Sequence, residues 1–162
     1  MRLLSTFATL CYLQQQNRVL MLRKARGLFG EGKWNAPGGK LRSGENPSTG
    51  AARETREETG LRVSKLRFNG ILNFYLGESK ELDQTVFVFT SRRFSGKIRR
   101  GREGKLKWFA IDQIPYDAMW EDDRLWLPLL LQGTSFIGDF YFTDGYEKLV
   151  GHAIRQTQSE IG

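Results

Sequence analysis

The chain has 162 residues, of which 40% are hydrophobic. That is enough to fill one hydrophobic core, so we expect a single domain over residues 1–162. Its formal net charge of +7 favours an anionic partner, such as a nucleotide, a nucleic acid or a membrane surface. One cysteine excludes an internal disulfide and fits a reducing compartment, so we expect a cytoplasmic protein. One histidine excludes a metal site built from several histidines.

The first predicted elements are two strands that form a hairpin. An apolar stretch at residues 3–13 predicts the first strand, and the polar run that ends at Asn17 predicts a turn. Residues 19–23 then predict the second strand. The N-terminal stretch is too short and too often interrupted by hydroxyl residues to be a secretory signal, and no segment approaches the length of a membrane span. We therefore expect no membrane partner, and we interpret Cys11 as a packed side chain rather than a nucleophile.

A glycine-rich loop at residues 27–32 leads to a predicted helix over residues 47–59. Asn46 is a suitable N-cap, Pro47 suits the first turn, and Gly60 suits the left-handed conformation that follows a last turn. The helix therefore carries its own start and stop signals.

Three glutamates of this predicted helix share one face. Glu54 and Glu58 lie about 40° apart, and Glu57 lies about 60° to the other side, at about 100° per residue. Carboxylates crowded on one stripe repel each other, and a divalent cation would remove that repulsion. Oxygen ligands suit Mg²⁺, with Mn²⁺ as an alternative, and such ions take further ligands from waters and substrate phosphates. The competing interpretation is a solvated helix in which Arg53 pairs with Glu57.

The residues around the helix resemble the signature of the Nudix hydrolases, G-x5-E-x7-R-E-U-x-E-E-x-G-U, where U is a bulky apolar residue. The matching positions are Gly39, Glu45, Arg53, Glu54, Glu57, Glu58, Gly60 and Leu61. Thr55 stands at the first apolar position, a departure that affects packing rather than chemistry. The resemblance implies an α+β fold of the α/β/α sandwich type, in which helices flank a mixed β-sheet with a loop–helix–loop catalytic motif.

The resemblance also implies a Mg²⁺-dependent enzyme that hydrolyses a nucleoside diphosphate linked to a further group. The three glutamates would be catalytic and would hold the metal. The backbone carbonyl of Gly38 or Gly39 would complete the metal's ligands. Glu45 and Arg53 would support them by fixing the loop–helix–loop.

Two strands are predicted next, at residues 66–76 and 82–91, and then a basic loop at residues 92–107. The basic charge of that loop is compatible both with a soluble surface and with anion binding. Its one acid is Glu103, which resembles in position a further catalytic glutamate of related enzymes. The alternative is that Glu103 merely offsets its basic neighbours.

The remaining chain predicts a short strand at residues 106–111 and a closing hairpin built from residues 136–142 and 147–154. Between them, residues 123–132 look helical at both ends but contain Pro128, which interrupts a helical pattern.

The resemblance extends beyond the signature to a branch of the family found in animals, the 8-oxo-dGTP diphosphatases. It is carried by the segments Trp34-Asn35, 108–115, 119–123 and 126–132. In that branch the base lies between a tryptophan and hydrophobic side chains, while an asparagine and two adjacent aspartates read its edge. The candidate substrate-binding residues are Thr9, Lys24, Phe29, Asn35, Lys40, Phe74, Trp120, Asp122 and Asp123, with the two lysines as phosphate contacts.

A physical argument supports two adjacent aspartates as readers of a base. Two neighbouring carboxylates in a partly apolar pocket do not both ionise readily, so the pKa of one rises and that group can donate a hydrogen bond. A pair that exchanges its proton could recognise both 8-oxo-guanine and 2-hydroxy-adenine. Alternatively, Asp122 or Asp123 caps the following helix and Asn35 is a turn residue.

The predicted function is hydrolysis of oxidised purine nucleoside triphosphates to a monophosphate and pyrophosphate, which would prevent DNA damage. Ala36-Pro37 and the basic loop depart from the branch, which leaves open another Nudix substrate, such as an RNA 5′-triphosphate end or a dinucleoside polyphosphate. A further alternative is a non-catalytic nucleotide- or RNA-binding Nudix module. Such modules often lose a helix glutamate, whereas all three remain here. We favour a small nucleotide over a nucleic acid as partner, and we expect a monomer.

Overall fold

The computed structural model describes residues 5–99 and 104–158. Its strands are β1 (Thr6–Gln15), β2 (Arg18–Lys24), β3 (Trp34–Asn35), β4 (Gly38–Lys40), β5 (Arg62–Ser64), β6 (Arg67–Leu76), β7 (Glu81–Ser91), β8 (Arg93–Ser95), β9 (Gly104–Ala110), β10 (Phe136–Phe142) and β11 (Leu149–Gln156). Its α-helices are α1 (Pro47–Thr59) and α2 (Asp123–Leu131). None of the helices in these two ranges is both long and apolar enough to cross a membrane.

Nine of the strands form one mixed sheet. Its order is β11-β10-β6-β7-β1-β2-β3, with β4 paired to β1 and β9 paired to β2. β1 runs parallel to β7 and β10 runs parallel to β6, whereas the other pairs are antiparallel. β5 and β8 form a separate two-stranded ribbon. This mixed sheet with two helices confirms the predicted α+β fold class.

The sheet separates two hydrophobic clusters, because alternate side chains of a strand point to opposite faces. Along β1, Tyr12 joins the cluster that contains Trp126 of α2. Cys11 and Leu13 join the cluster that contains Ala51 of α1. The two helices therefore cover opposite faces of the sheet, as expected for an α/β/α sandwich. Burial raises the pKa of Cys11 to about 11, which agrees with a packed side chain.

Helix α1 begins and ends at the predicted residues. The Asn46 side chain accepts a hydrogen bond from the Ser48 amide at 2.9 Å, and Gly60 adopts a φ of 83° and donates to the Arg56 carbonyl. Thr55 is fully buried, and its hydroxyl donates to the Ala51 carbonyl at 2.7 Å. A hydroxyl at this apolar position is thus satisfied within the helix itself.

The prediction of a basic loop over residues 92–107 was wrong at both of its ends, where β8 and β9 form. In β9, Lys105 and Lys107 are exposed, whereas Leu106 and Trp108 pack against the cluster on the α1 face. This alternation is typical of a half-buried strand, and the high charge of the segment hid it. Residues 100–103, including Glu103, lie outside the described residues.

Helix α2 is continuous through Pro128, whereas the sequence pattern predicted helix only at the two ends of residues 123–132. Proline lacks the N–H that would bond to the carbonyl four residues earlier, so the helix forgoes one hydrogen bond. Trp126, Leu127 and Leu130 are nearly completely buried, and their packing outweighs that loss. Both predicted hairpins, β1–β2 and β10–β11, are confirmed as antiparallel pairs.

Candidate active site

A cavity of about 430 Å³ brings together parts of the chain that are distant in sequence. Its volume is in the usual range for a small-molecule site. Its walls come from strands β1–β4, β6 and β7, from helices α1 and α2, and from the loops that carry Phe29, Trp120 and Tyr146. The predicted site residues that line it are Thr9, Lys24, Phe29, Asn35, Gly38, Gly39, Lys40, Glu54, Glu58, Phe74, Trp120, Asp122 and Asp123. Glu45, Arg53 and Glu57 do not line it.

Glu58 lies at one end of this cavity and is only 3% exposed. Its Oε1 accepts a hydrogen bond from the Gly38 amide at 2.6 Å, and its Oε2 lies 3.6 Å from the Lys24 Nζ. A buried carboxylate with an amide donor and a nearby ammonium is held in one orientation. The glycine pair and the helix are therefore joined directly at this residue.

Arg53 connects the other carboxylates. Its Nε and Nη2 both donate to Glu45 at 2.8 Å, and its Nη1 donates to Glu54 at 2.9 Å and to Glu57 at 3.2 Å. The hydrogen bonds from Arg53 lower the pKa of Glu45 to about 2. The pairing of Arg53 with Glu57, which the solvated-helix interpretation required, is therefore present. Most of the guanidinium is nevertheless used to tie the helix to the loop that precedes it.

The residues at this end of the cavity suit a hard divalent cation. A Cβ built on Gly39 would lie 2.6 Å from the Glu54 Cδ, so the absence of a side chain there makes room for the carboxylate. Glu54 and Glu58 offer carboxylate oxygens beside the carbonyls of the glycine pair, and Mg²⁺ prefers such oxygen ligands.

Glu57 has a different position from its two neighbours. Its side chain is 48% exposed and faces Arg42 at 3.5 Å as well as Arg53. Over residues 5–99 and 104–158, no group of three or more acidic, histidine or cysteine side chains stands close enough to hold a metal ion. A cation shared by all three glutamates therefore requires the Glu57 side chain to rotate away from the two arginines.

Asp122 and Asp123 also line the cavity, and each is only 2% exposed. Asp122 Oδ2 accepts a hydrogen bond from Trp126 Nε1 at 2.8 Å, and Asp123 Oδ2 accepts one from the Trp120 amide at 3.1 Å. Asp122 stands at the N-cap position of α2, but its side chain makes no capping hydrogen bond. The helix-cap interpretation of Asp122 is therefore wrong.

The burial of these two aspartates changes how they hold protons. Burial raises the pKa of Asp122 to about 6, although the Trp126 hydrogen bond opposes the change. Burial also raises the pKa of Asp123 well above its ordinary value, and the negative charge of Asp122 adds to the effect. Burial and mutual repulsion therefore favour a pair that shares one proton over a pair with two negative charges.

Tyr12 connects the aspartates to the predicted base reader Asn35. The buried Tyr12 hydroxyl donates to Asn35 Oδ1 at 3.4 Å. Burial raises the pKa of Tyr12, and the negative charges of Asp123 and Asp122 raise it further. Asn35 Oδ1 also accepts from the Ala36 amide at 2.9 Å, and Asn35 lies in strand β3 rather than in a turn. Asn35 therefore has a defined orientation in the cavity wall, and its role as a base reader stays a prediction.

An aromatic group closes the cavity near Trp120. Phe29 stacks on Trp120 with a ring-centroid distance of 5.1 Å, and Tyr146 meets Trp120 edge-on at 5.9 Å. Lys33 Nζ lies 5.1 Å from the centroid of the Trp120 ring. Sequence reasoning missed Lys33, Tyr146 and Gln84, which also line the cavity. Lys33 directly precedes Trp34-Asn35 and could have been found from that position, whereas long-range packing brings in the other two.

Comparison with known proteins agrees with this geometry. The NUDIX domain family matches residues 4–130. The "Oxidized purine nucleoside triphosphate hydrolase" of Danio rerio is 40% identical over 155 residues, which cover 95% of this chain and 97% of that protein. The protein of the same name from Mus musculus is 39% identical over 96% of this chain and 97% of its own length.

Among solved structures, the mutator MutT protein from Bacillus halodurans matches with a TM-score of 0.83 at 27% identity, covering 92% of this chain and 97% of that one. The family match extends over most of the chain, and the relatives are similar over nearly their whole length. The chain therefore belongs to the Nudix family of pyrophosphohydrolases.

Proposed function

We propose that this Nudix pyrophosphohydrolase hydrolyses oxidised purine nucleoside triphosphates, such as 8-oxo-dGTP and 2-hydroxy-dATP, to a monophosphate and pyrophosphate. One observation carries the proposal: the buried pair Asp122 and Asp123 lines the same cavity as Glu54 and Glu58. The names of the relatives from Danio rerio and Mus musculus support the same substrate class. In this proposal, the cavity holds the base at one part and the phosphates at the other.

The aspartate pair would read the base. Burial raises the pKa of Asp123 well above its ordinary value, which favours a protonated carboxyl that can donate a hydrogen bond. The pKa of Asp122 is about 6, so its carboxylate accepts one. Because the two residues are neighbours and their negative charges repel each other, either carboxyl would be able to carry the shared proton. A donor and an acceptor that can exchange would fit bases with either arrangement at that edge.

The phosphates would lie between the lysines and the glutamates. Lys24 and Lys40 both line the cavity, and an ammonium group attracts phosphate oxygens. A bound Mg²⁺ would neutralise phosphate charge and lower the pKa of a water molecule. Glu54, Glu58 and a carbonyl of the glycine pair would hold that ion. The Gly38 amide fixes Glu58, and Arg53 fixes Glu54, so both carboxylates are oriented in advance.

The test is to incubate the purified protein with Mg²⁺ and each of 8-oxo-dGTP, 2-hydroxy-dATP, dGTP, ATP and a short triphosphorylated RNA. The proposal expects the oxidised purines to give the highest kcat/KM, with a monophosphate and pyrophosphate as products. Turnover of the RNA with no effect of base oxidation would contradict it and favour an enzyme that acts on RNA ends. Absence of any turnover would favour a nucleotide-binding module.

A further inference from the structure

A second polar group lines the cavity, apart from the aspartates and the asparagine. Gln84 of β7 and Tyr146, from the turn between β10 and β11, both belong to the wall. Gln84 Nε2 lies 3.1 Å from the Tyr146 hydroxyl, and that hydroxyl lies 2.6 Å from Asp83 Oδ2. The three side chains thus form a chain of hydrogen bonds that ends at Gln84, a residue of the cavity wall.

The direction of these hydrogen bonds fixes the orientation of the Gln84 amide. A carboxylate can only accept, so the Tyr146 hydroxyl donates its hydrogen to Asp83. The hydroxyl oxygen then accepts from Gln84, and only the NH₂ of an amide can donate. Gln84 Oε1 consequently lies on the side of the amide that faces away from Tyr146. It is a hydrogen-bond acceptor with a defined position in the cavity wall.

Tyr146 is itself firmly held. Its ring contacts Phe142 at 5.3 Å, Phe29 at 5.6 Å, Trp120 at 5.9 Å and Phe74 at 6.1 Å between centroids. Its backbone has a φ of 62°, a conformation that a bulky residue adopts only when its surroundings impose it. Because Tyr146 is held in place, its hydroxyl can fix the orientation of the Gln84 amide.

The chemistry of an oxidised purine gives such an acceptor a role. In an ordinary purine, N7 is an acceptor. Oxidation at C8 places a carbonyl at that carbon and a hydrogen on N7, which becomes a donor. A fixed acceptor in the wall would bond to the oxidised ring and would repel the ordinary one, since two acceptors would then face each other.

We infer that Gln84 is a specificity-determining residue that reads the imidazole-ring edge of 8-oxo-purines through Oε1, and that Tyr146 is the positioning residue that orients it. The inference rests on the proposed function, and it adds a second reading point to the one formed by Asp122 and Asp123. It also separates two oxidised bases, because 2-hydroxy-adenine has an unmodified imidazole ring.

The test compares wild type with Gln84→Met, which removes the amide but keeps a long side chain. The measured quantity is the ratio of kcat/KM for 8-oxo-dGTP to kcat/KM for 2-hydroxy-dATP. We expect Gln84→Met to lower this ratio by about three- to tenfold, the range for one hydrogen bond. An unchanged ratio would overturn the inference, even if both rates fell together.

Tyr146→Phe tests the positioning role, because it keeps the ring and removes only the hydroxyl. We expect it to lower the same ratio by less than Gln84→Met does, and to cause no further loss when the two substitutions are combined. Independent, multiplying losses would show that Tyr146 does not act through Gln84. Thermal unfolding of each variant, measured beside wild type, checks that the aromatic group stays packed.

The outcomes for the two proposals differ. A wild-type enzyme with no preference for oxidised over ordinary purines would overturn the proposed function and this inference with it. A wild-type enzyme that prefers 8-oxo-dGTP, and a Gln84→Met variant that keeps the wild-type ratio, would overturn this inference alone.

Discussion

Glu57 and Glu58 are adjacent in sequence but have very different surroundings. Glu58 is 3% exposed and accepts a hydrogen bond from the Gly38 amide, whereas the side chain of Glu57 is 48% exposed beside Arg42. Residues with fixed geometry contribute most to a site that must align water and phosphate. Glu58 is therefore the carboxylate whose loss should matter most.

We expect Glu58→Gln to lower Mg²⁺-dependent turnover by at least roughly a hundredfold, the scale seen when one key electrostatic group is removed. Glutamine can still accept from the Gly38 amide, so the loss would come from the charge rather than from the fold. Steady-state kinetics with 8-oxo-dGTP measures the effect. Glu78→Gln, at an exposed turn, is the matched control. Near-normal turnover in both Glu58→Gln and Glu54→Gln would argue against the assignment.

The burial of Asp122 makes a prediction about pH. Its pKa is about 6 in the folded protein, above its ordinary value of 3.8, so the folded state holds this proton more tightly than the unfolded chain does. The contribution of Asp122 to the free energy of unfolding is therefore fully present below about pH 4 and is lost as the pH rises through about 6. Asp122→Asn removes the titration but keeps an oxygen acceptor for Trp126.

Relative to wild type, Asp122→Asn should therefore gain stability as the pH rises from 5 to 8. The expected gain is about 1 kcal/mol, because about one pH unit of the Asp122 titration lies in this interval and one pKa unit corresponds to about 1.4 kcal/mol. Urea unfolding at the two pH values gives the free energies. Asp117→Asn, which is exposed, serves as the control and should show no such gain. A gain that is equal at both pH values would indicate that Asp122 titrates in its ordinary range.

At the scale of secondary structure, elements with local signals were predictable. The ends of α1 follow from Asn46 and Gly60, and the hairpins follow from apolar runs interrupted by turn residues. The short strands β3, β4, β5 and β8 were not predicted, because each exists only through its partner strand. β9 was predicted to begin two residues too late and to end one residue too late, because lysines on its exposed face concealed the alternation.

The site was predictable to the extent that it depends on contiguous sequence. The Nudix signature and the Trp120 to Asp123 segment indicated six residues of the cavity wall, because each segment keeps its residues on one local element. Gln84 lies in β7 and Tyr146 in the turn between β10 and β11, and they meet only after folding, so no spacing in the sequence indicates their contact. The orientation of Glu57 depends on Arg42, which is likewise a matter of tertiary structure.

The glycine pair of β4 makes a prediction that separates chemistry from folding. A Cβ at Gly39 would meet the end of the Glu54 side chain at 2.6 Å, whereas a Cβ at Gly38 would overlap the backbone carbonyl of Thr9. A side chain can move, but a backbone within a sheet cannot move without loss of pairing.

We therefore expect Gly39→Ala to lower turnover by about tenfold or more with little change in thermal stability, since it displaces a metal-holding carboxylate. Gly38→Ala should instead destabilise the protein by about 1 to 3 kcal/mol, the usual cost of overpacking. Thermal unfolding and kinetics of the two variants provide the comparison. Equal destabilisation by both would mean that Glu54 is less mobile than its position suggests.

At the scale of the whole molecule, the formal net charge of +7 attracts anions without selecting among them. Of the basic segment, residues 92–99 and 104–107 are described, and none of these lines the cavity. The geometry of the described residues therefore does not favour the RNA-end alternative, and Lys24 and Lys40, which line the cavity, remain the proposed phosphate contacts.

Reversal of two exposed charges, Lys97→Glu with Lys105→Glu, should consequently leave kcat/KM for 8-oxo-dGTP within about twofold at physiological salt, where exposed charges are screened beyond about 8 Å. The same variant should bind short RNA more weakly, as retention on an RNA-coated surface would show. A tenfold fall in nucleotide turnover without loss of stability would bring the basic segment into the substrate site.

The two hydrophobic clusters on opposite faces of the sheet have a consequence for how such an enzyme can change. Tyr12, Phe74, Trp126 and Tyr146 pack on the face that carries the proposed base readers, whereas α1 is supported from the other face through Ala51 and Leu61. Substitutions that change which base is bound therefore do not alter the hydrophobic cluster against which α1 packs. The same fold can thus acquire a new nucleotide preference while helix α1 and its glutamates stay the same.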